Sequence, residues 1–534
     1  MFSPSLARNL LQLEELIIQD CGELEQIIVS SCWELEHIVS IKAEKNVGGG
    51  GGNDVILLKL RIIVLFKLKN FINFYSENLS LNVQTTKRLK ELKVRKCDSL
   101  EHIIEITEAE ENVGGGGGND AMFPKLRILQ LDELENFINF YSENSSLNML
   151  TAKGQLRNFN LLRHGLQNLE ESKIVWCRTQ VLFQLEGLEQ ELSLPSLKVL
   201  ELKYLKELIF LCEGLTHLLN LPNLNILRVE NCNRLRHMFS PSLARNLLQL
   251  EELAISWCGE LEQILDEDNA ETYNQTLLKD HLQSPLLFPN LSRIEIWNCG
   301  QLKSMFPVSI GHLLSLQNLT NLRLCYCDGL THLFSSTTLV RNLLRLEELI
   351  IRNCGELEQI IVEDHTEDDH VQLGLFPNLS SISVNGCGKL KTLFPFNITQ
   401  LGLQKLRTIS VEKSFQLEEL FGHKDEADMT SHREMVLPQL QQLSLEQLAS
   451  LVNFCPVGYH FIFPSLSWLV VIECPKLTTR FSIDKNRSVH AEAKAPQTAK
   501  EDVDMELSPP KTTRDIKCWD YDSLRKRLPP YIGI

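Results

Sequence analysis

Aromatic side chains are scarce in this 534-residue chain, at 7%, and leucine supplies much of the 43% apolar fraction. Charges interrupt the apolar positions every few residues, so no run reaches the length of a membrane span. The start, MFSPSLARNLLQ, has no basic segment followed by a long apolar one, which argues against a secretory signal. Basic residues are outnumbered, 53 Lys and Arg against 69 Asp and Glu. The resulting charge of −16 is opposite to the basic stripe that nucleic-acid binding needs.

Motifs that carry chemistry are missing as well. A phosphate loop needs G-x-x-x-x-G-K-[S/T], and neither glycine tract, Asn46–Asp54 or Asn112–Asp120, supplies the lysine and hydroxyl. Cys387-Gly388-Lys389 lacks the upstream glycine, and there is no H-E-x-x-H or G-x-S-x-G. His365 and His370 lie among acids in VEDHTEDDH, which suits a solvated loop better than a cation site. The pairs Glu14-Glu15, Glu251-Glu252 and Glu347-Glu348 recur in one phase and belong to a scaffold rather than to acid–base work. No enzyme, cofactor or metal is expected.

What is present is a repeat. In Arg341–Ile361 (RNLLRLEELIIRNCGELEQII), Leu346, Leu349 and Ile351 are followed by Cys354, Leu357 and Ile360. The frame L-x-x-L-x-L-x-x-C-x-x-L-x-x-I returns at intervals of a few tens of residues, the signature of a solenoid. Rung cores are expected at Leu13/Leu16/Ile18, Leu60/Ile63/Leu65, Leu89/Leu92/Val94, Leu126/Leu129/Leu131 and Leu169/Ser172/Ile174. They continue at Leu197/Leu200/Leu202, Leu224/Leu227/Val229, Leu250/Leu253/Ile255, Leu291/Ile294/Ile296 and Leu319/Leu322/Leu324. The last are Leu346/Leu349/Ile351, Leu379/Ile382/Val384, Leu406/Ile409/Val411, Leu440/Leu443/Leu445 and Leu466/Leu469/Val471.

Alternation over each core predicts a strand with one buried face. The remainder of a unit, as in Ser240–Gln249, has helical spacing, with Ser240 as cap and Pro241 at the first helical position. One unit buries too little to fold alone, and stacking on neighbours supplies the rest.

Ten of the fifteen cysteines take the slot after the strand: Cys21, Cys97, Cys177, Cys232, Cys258, Cys299, Cys327, Cys354, Cys387 and Cys474. Leucine or Ser414 fills the other slots, so the position asks for a modest, mostly apolar side chain, and a buried thiol meets that demand. Disulfides are disfavoured in a reducing compartment. Cys325, two residues before Cys327, is expected to point outward.

Inserts fall between one repeat's tail and the next strand: the two glycine tracts and the acidic segments Asp266–Asp280, Val362–His370 and Gly422–Glu434. The sequons at Asn290, Asn318 and Asn378 are read as structural. From Ser482 the frame is lost, and residues 482–534 read as a mostly disordered tail, with Trp519, Tyr521 and Leu524–Leu528 as its only docking features. Met1 aligns with Met238, inside a repeat, which predicts an uncapped start and a truncated or partial product.

Met1–Ile27 matches Met238–Ile264 except at Ile17/Ala254, Gln19/Ser256 and Asp20/Trp257. Alternation places the first two positions on the outward strand face. That face, made of successive outward residues, is the expected protein-binding surface. Its candidates are Lys203, Arg228, Glu230, Trp257, Glu295, Trp297, Arg323, Ile350 and Arg352. Tryptophan beside arginine is the composition of a binding hot spot.

The phrases LEELIIRNCGELEQII, FPNLSRIEIWNCGQLKSMF (Phe288–Phe306) and LPNLNILRVENCNRLRHMFSPS (Leu221–Ser242) resemble the leucine-rich-repeat region of plant coiled-coil nucleotide-binding disease-resistance proteins. The resemblance implies an α/β leucine-rich-repeat solenoid over residues 1–481, about fifteen irregular repeats. Such a horseshoe has a parallel sheet on its concave face and short helices and loops on its convex face. It also implies a cytoplasmic, non-enzymatic recognition module of innate immunity, whose partner is a pathogen effector or a guarded host protein. A nucleotide-binding switch in a longer parent is a further implied partner, though this sequence has no phosphate loop of its own. A ubiquitin-ligase substrate-recognition subunit and a non-functional fragment are the alternatives.

Overall fold

The computed structural model describes residues 15–18, 26–30, 37–40, 61–66, 89–97, 100, 102–106, 125–134, 139–143, 166–184, 192–213, 216–266, 287–307, 314–334, 343–362, 376–395, 402–422, 433–454 and 459–493. The glycine tracts, nearly all of the acidic inserts, Cys21, His365, His370 and the tail beyond residue 493 lie outside them. The chain divides into two compact units, the first built mainly from residues up to Leu319 and the second mainly from Leu343 onward together with Thr320–Cys325.

In the first unit, parallel strands stack in sequence order: Gln26–Ser30, Ile62–Phe66, Glu91–Arg95, Ile128–Asp132, Glu171–Val175, Val199–Lys203, Ile226–Glu230, Glu252–Ser256 and Arg293–Trp297. In the second the strands are Asn321–Cys325, Glu348–Arg352, Ser381–Asn385, Thr408–Glu412, Gln442–Glu446 and Trp468–Ile472. Register keeps like with like: Leu200 pairs with Leu227, Leu227 with Leu253, and Leu253 with Ile294. From Ile62–Phe66 to Gln442–Glu446 the strands bury their second and fourth residues, as Leu349 and Ile351 do at 0% exposure. Period-two alternation would put a one-residue slip of any rung on the wrong face, so the pattern itself fixes the register. The architecture is the leucine-rich-repeat solenoid that the frame implies.

From Glu91–Arg95 onward the described rungs close with one backbone device. The residue after the strand has a positive φ, at Trp176 (56°), Tyr204 (56°), Asn231 (59°) and Trp257 (58°) in the first unit. Asn353 (52°), Gly386 (71°), Lys413 (51°) and Gln447 (54°) do the same in the second. This left-handed conformation costs a non-glycine residue roughly 1–2 kcal/mol. In return its N–H reaches the next rung: Tyr204 N donates to the Glu230 carbonyl at 2.8 Å, and Asn353 N to that of Asn385 at 2.7 Å.

The turn also drives the following slot residue inward. Cys97, Cys232, Cys258, Cys299, Cys354 and Cys387 are fully buried, and each thiol donates to the carbonyl two residues back, as Cys354 Sγ does to Arg352 O at 3.6 Å. Ser414 Oγ makes the same bond to Glu412 O at 3.2 Å. The slot thus takes a small donor or a plain apolar side chain such as Leu134, Leu205 or Leu448, all at 0% exposure. The described cysteines are all free thiols.

Behind the strands the scarce aromatics form a second layer. Phe288, Phe376, Phe394, Phe421, Phe454, Phe461 and Phe463 are buried almost completely. At the entry to these strands an asparagine side chain ties one rung to the last, in the Pro-Asn-Leu steps of Asn290, whose Nδ2 donates to Leu248 O at 2.9 Å, and Asn378, whose Nδ2 donates to Leu344 O at 2.5 Å, and in the Gln-Asn-Leu step of Asn318, whose Nδ2 donates to Pro289 O at 2.8 Å. These sequon amides are used within the fold. The helix Pro241–Asn246 is present, and Ser240 Oγ caps it by accepting from Leu243 N at 3.2 Å. Elsewhere the segment after the turn forms short parallel strand pairs, such as His237–Phe239 with Gln263–Leu265 and Thr392–Pro395 with Glu419–Gly422.

Three expectations need correction. Glu15–Ile18 is a strand, but it pairs with His37–Ser40, and Gln26–Ser30 takes the place beside Ile62–Phe66. The same frame also runs through Leu24, Ile27, Val29 and Cys32, a shorter step from the next rung. Cys325 occupies an outward register opposite Arg352 yet is fully buried. At Trp468–Ile472, the last strand of its sheet, Val471 is 37% exposed and Val470 is buried. With a neighbour on one side only, that strand's inward residues lose half their cover.

The loss of the frame near Ser482 does not end regular structure. Arg480–Ile483 and Val489–Glu492 form an antiparallel hairpin, whose second strand pairs antiparallel with Tyr459–Phe463, itself parallel to Arg433–Val436.

Candidate recognition surface

The first, third and fifth residues of the strands line up in register in rows, and in most of the described strands they face away from the core. In the first unit the third-position row includes Lys173, Glu201, Arg228, Ala254 and Glu295. The fifth-position row includes Lys203, Glu230, Ser256 and Trp297. Charges of opposite sign alternate along these rows and pair across rungs. Arg228 bridges Glu201 at 3.0 Å and Glu252 at 2.9 Å, and Lys203 Nζ lies 3.0 Å from Glu230. Glu295 lies 3.8 Å from Arg293. Half-exposed pairs like these contribute little to stability, about 0–1 kcal/mol each. Their consequence is orientation: four of the candidates, Lys203, Arg228, Glu230 and Glu295, are held by neighbouring charges.

Trp257 occupies the left-handed turn position and is 56% exposed, and its N–H donates to the Trp297 carbonyl at 2.8 Å. Trp297, the last residue of the next strand, is half-buried. Ala254 and Ser256 lie outward on the strand before Trp257. All three residues that distinguish this copy from Met1–Ile27 are therefore on the outer surface.

In the second unit Arg323 pairs in register with Ile350, and Arg352 lies on the same strand as Ile350. Arg323 reaches Glu348 at 3.5 Å. Ile350 is outward in register but only 9% exposed, so it offers a partner little surface. Further along, the third-position row becomes Ser383, Ser410 and Ser444, and the fifth becomes Asn385, Glu412 and Glu446. Burial and the neighbouring Glu446 charge push the Glu412 carboxyl above the usual range, although Asn385 Nδ2 donates to it at 2.6 Å.

The turn row adds candidates that strand alternation does not find: Trp176 at 41% exposure, the half-buried Tyr204, and Tyr326 at 48%. Their signal in sequence is position alone, the residue just before the cysteine slot. Lys206 Nζ stands 5.0 Å from the Trp176 ring centre, within cation–π range.

The chemistry of the described thiols suits packing. Burial pushes Cys177 and Cys387 up to about 12, far from the thiolate a nucleophile needs. A cavity of about 200 Å³ between short second-layer strands is floored by Leu211, Met238, Phe239 and Leu243, and its Cys212 is likewise pushed up to about 12 by burial and by Glu213. Among the described residues no group of three or more His, Cys, Asp or Glu is arranged to hold a metal ion, and no helix is long and apolar enough to cross a membrane.

The sequence matches the family described as plant disease resistance protein RPS2-like, leucine-rich repeats, over residues 119–259 and 356–491. It is also 29% identical over 198 residues to the probable disease resistance protein At4g27220 of Arabidopsis thaliana. That alignment covers 32% of this chain and 20% of the Arabidopsis protein, so the match spans about a fifth of its relative's length.

Proposed function

The chain belongs to the RPS2-like leucine-rich-repeat family of plant disease resistance proteins, and from that premise we propose that its outward strand face senses a pathogen effector or an effector-modified host protein. The coarser statement, a leucine-rich-repeat module of plant defence, follows from the family itself. In this reading the module is non-enzymatic, works in the cytoplasm, and passes its binding signal to a nucleotide-binding switch in a longer parent. Lys203, Arg228, Glu230 and Glu295 present the charge pattern in the first unit and Arg323 and Arg352 in the second, while Trp257 supplies the exposed aromatic anchor beside the half-buried Trp297.

One observation carries the reading. Two copies of one repeat are identical at every position that is buried in the second, and differ at Ala254, Ser256 and Trp257, which all lie outward there. The test exchanges those residues for their counterparts in the first copy: Ala254→Ile, Ser256→Gln and Trp257→Asp together. Because the replacements already occur in that frame, the fold is expected to survive, as circular dichroism and melting would show. Proximity labelling in plant cells with and without pathogen is expected to lose a partner that the parent chain labels. An unchanged partner set would sink the assignment of this face.

A further inference from the structure

The outward rows of the second unit change character at their far end. In the first unit the acids of the fifth-position row are paired, Asp132 with Arg95 at 2.9 Å and Glu230 with Lys203 at 3.0 Å. In the second, Glu412 and Glu446 stand in register on adjacent rungs. Their hydrogen-bond partners are neutral: Asn385 Nδ2 donates to Glu412 at 2.6 Å, and Ser444 Oγ to Glu446 at 2.6 Å. Among the described residues neither carboxylate forms an ion pair. Lys413 and Arg352 act on Glu412 only from a distance.

One rung further the same rows turn apolar. Gln442, Ser444 and Glu446 are in register with Trp468, Val470 and Ile472. The strand Trp468–Ile472 (WLVVI) is therefore apolar on both faces, the composition of a strand covered on both. It is the last strand of its sheet, and it has none of the charges or prolines with which natural edges ward off contacts. Trp468 and Ile472 are half-buried, and Val471 is 37% exposed. Two acids without a cation beside an apolar rung fit one kind of partner: basic side chains flanked by large apolar ones.

The chain carries such a segment. Residues 519–528, WDYDSLRKRL, set Arg525-Lys526-Arg527 between Leu524 and Leu528, after Trp519 and Tyr521. This is the one run of three consecutive basic residues in a sequence of net charge −16. Its tether starts at the same end of the second unit. The last described strand, Val489–Glu492, pairs with Tyr459–Phe463, which leads through residues 464–467 into Trp468–Ile472. Residues 494–523 can span up to about 100 Å. Glu446 and Glu412 lie only one and two rungs from Trp468, about 5 and 10 Å away.

We propose that residues 519–528 dock on this end of the second unit's outward face, with the basic run against Glu446 and Glu412 and the flanking apolar side chains on Trp468 and Ile472. A partner that reads this end of the face must then displace the chain's own segment. The inference does not rest on what the first unit's face binds.

The experiment compares the full chain with the full-length variant Arg525→Glu, Lys526→Glu, Arg527→Glu, whose changes lie outside the described rungs. The probe is a fluorescein-labelled peptide of residues 516–534, followed by anisotropy. The chain is kept near 1 µM, where a tethered competitor outweighs competition between chains. The peptide is expected to bind the variant about tenfold more tightly than the unaltered chain, whose own segment occupies the face. Glu446→Lys added to the variant is expected to abolish binding, with circular dichroism unchanged. Should that reversal disturb the rungs, Glu446→Gln is the second variant and is expected to weaken binding several-fold. Failure to bind the variant, equal affinity for both chains, or binding that neither change at Glu446 weakens overturns the proposal.

Discussion

The rings of Trp176 and Tyr204 lie parallel within 1°, with centres 4.4 Å apart. Both belong to the left-handed turn position of consecutive rungs, so their side chains leave the backbone in the same direction, one rung apart. Stacking of two aromatic rings is worth about 0.5–1.5 kcal/mol beyond the area buried. A double-mutant cycle with Trp176→Ala and Tyr204→Ala is therefore expected to return a coupling of that size, read from denaturant midpoints. Zero coupling would mean that the turns alone hold the rings in place and that the stack adds nothing.

The cysteine slots lead to a chemical prediction. Cys258 and Cys387 are fully buried and pushed up to about 12, so neither is a thiolate at pH 8. Native protein is expected to leave the buried slot cysteines, Cys97 and Cys232 to Cys387, unmodified by iodoacetamide for hours, unlike the half-buried Cys474, and to expose them on unfolding. Cys354→Ser is expected to cost less than about 1 kcal/mol, because a hydroxyl can make the bond that Ser414 Oγ already makes. Rapid labelling of Cys258 or Cys387 in the native state, mapped by mass spectrometry, contradicts this packing.

Much of this architecture was legible in the sequence, because alternation at Leu349 and Ile351 and their equivalents leaves one way to bury a rung. What was not legible depends on neighbours or on backbone. Ile350 has the outward phase, yet the flanking rungs cover it, and alternation carries no information about that cover. The left-handed turn is hidden because lysine, tryptophan, asparagine and glutamate take it in most rungs, where glycine would be the usual sign. Short second-layer strands such as His237–Phe239 hold too few residues to show a period. The first rung was misplaced because two overlapping copies of the frame compete in residues 13–32, and only the spacing to Ile63 separates them.

Glu412 predicts a pH effect of definite sign. Its folded-state carboxyl is raised by burial and by Glu446, so the native state takes up this proton at higher pH than the unfolded chain does. Ionised Glu412 is then a liability at neutral pH that is relieved on acidification toward its folded value. Glu412→Gln is expected to melt higher at pH 7, by up to about 1 kcal/mol of stability, because it keeps the amide bond from Asn385 without the charge. The advantage is expected to shrink as pH falls and to vanish near pH 4. A variant that melts lower at pH 7 would show that the carboxylate is stabilised by its Asn385 and Ser410 contacts more than it is strained by burial.

Gly386 is the glycine of the turn row, and its neighbour explains why. Its φ of 71° is open to other residues, since Asn353 and Lys413 adopt similar values in adjacent rungs. The obstacle is the Asn353 side chain, whose Oδ1 and Cγ occupy the space a Cβ at residue 386 would need. Gly386→Ala is expected to destabilise the second unit by about 1–2 kcal/mol, through the φ penalty and the clash together. Asn353→Ala alone is expected to be mild, since its backbone N–H to Asn385 is untouched. The two changes combined are expected to recover part of the loss, because removing Oδ1 and Cγ vacates the contested volume while the φ penalty stays. Strict additivity of the two melting shifts would instead assign the whole cost to the backbone.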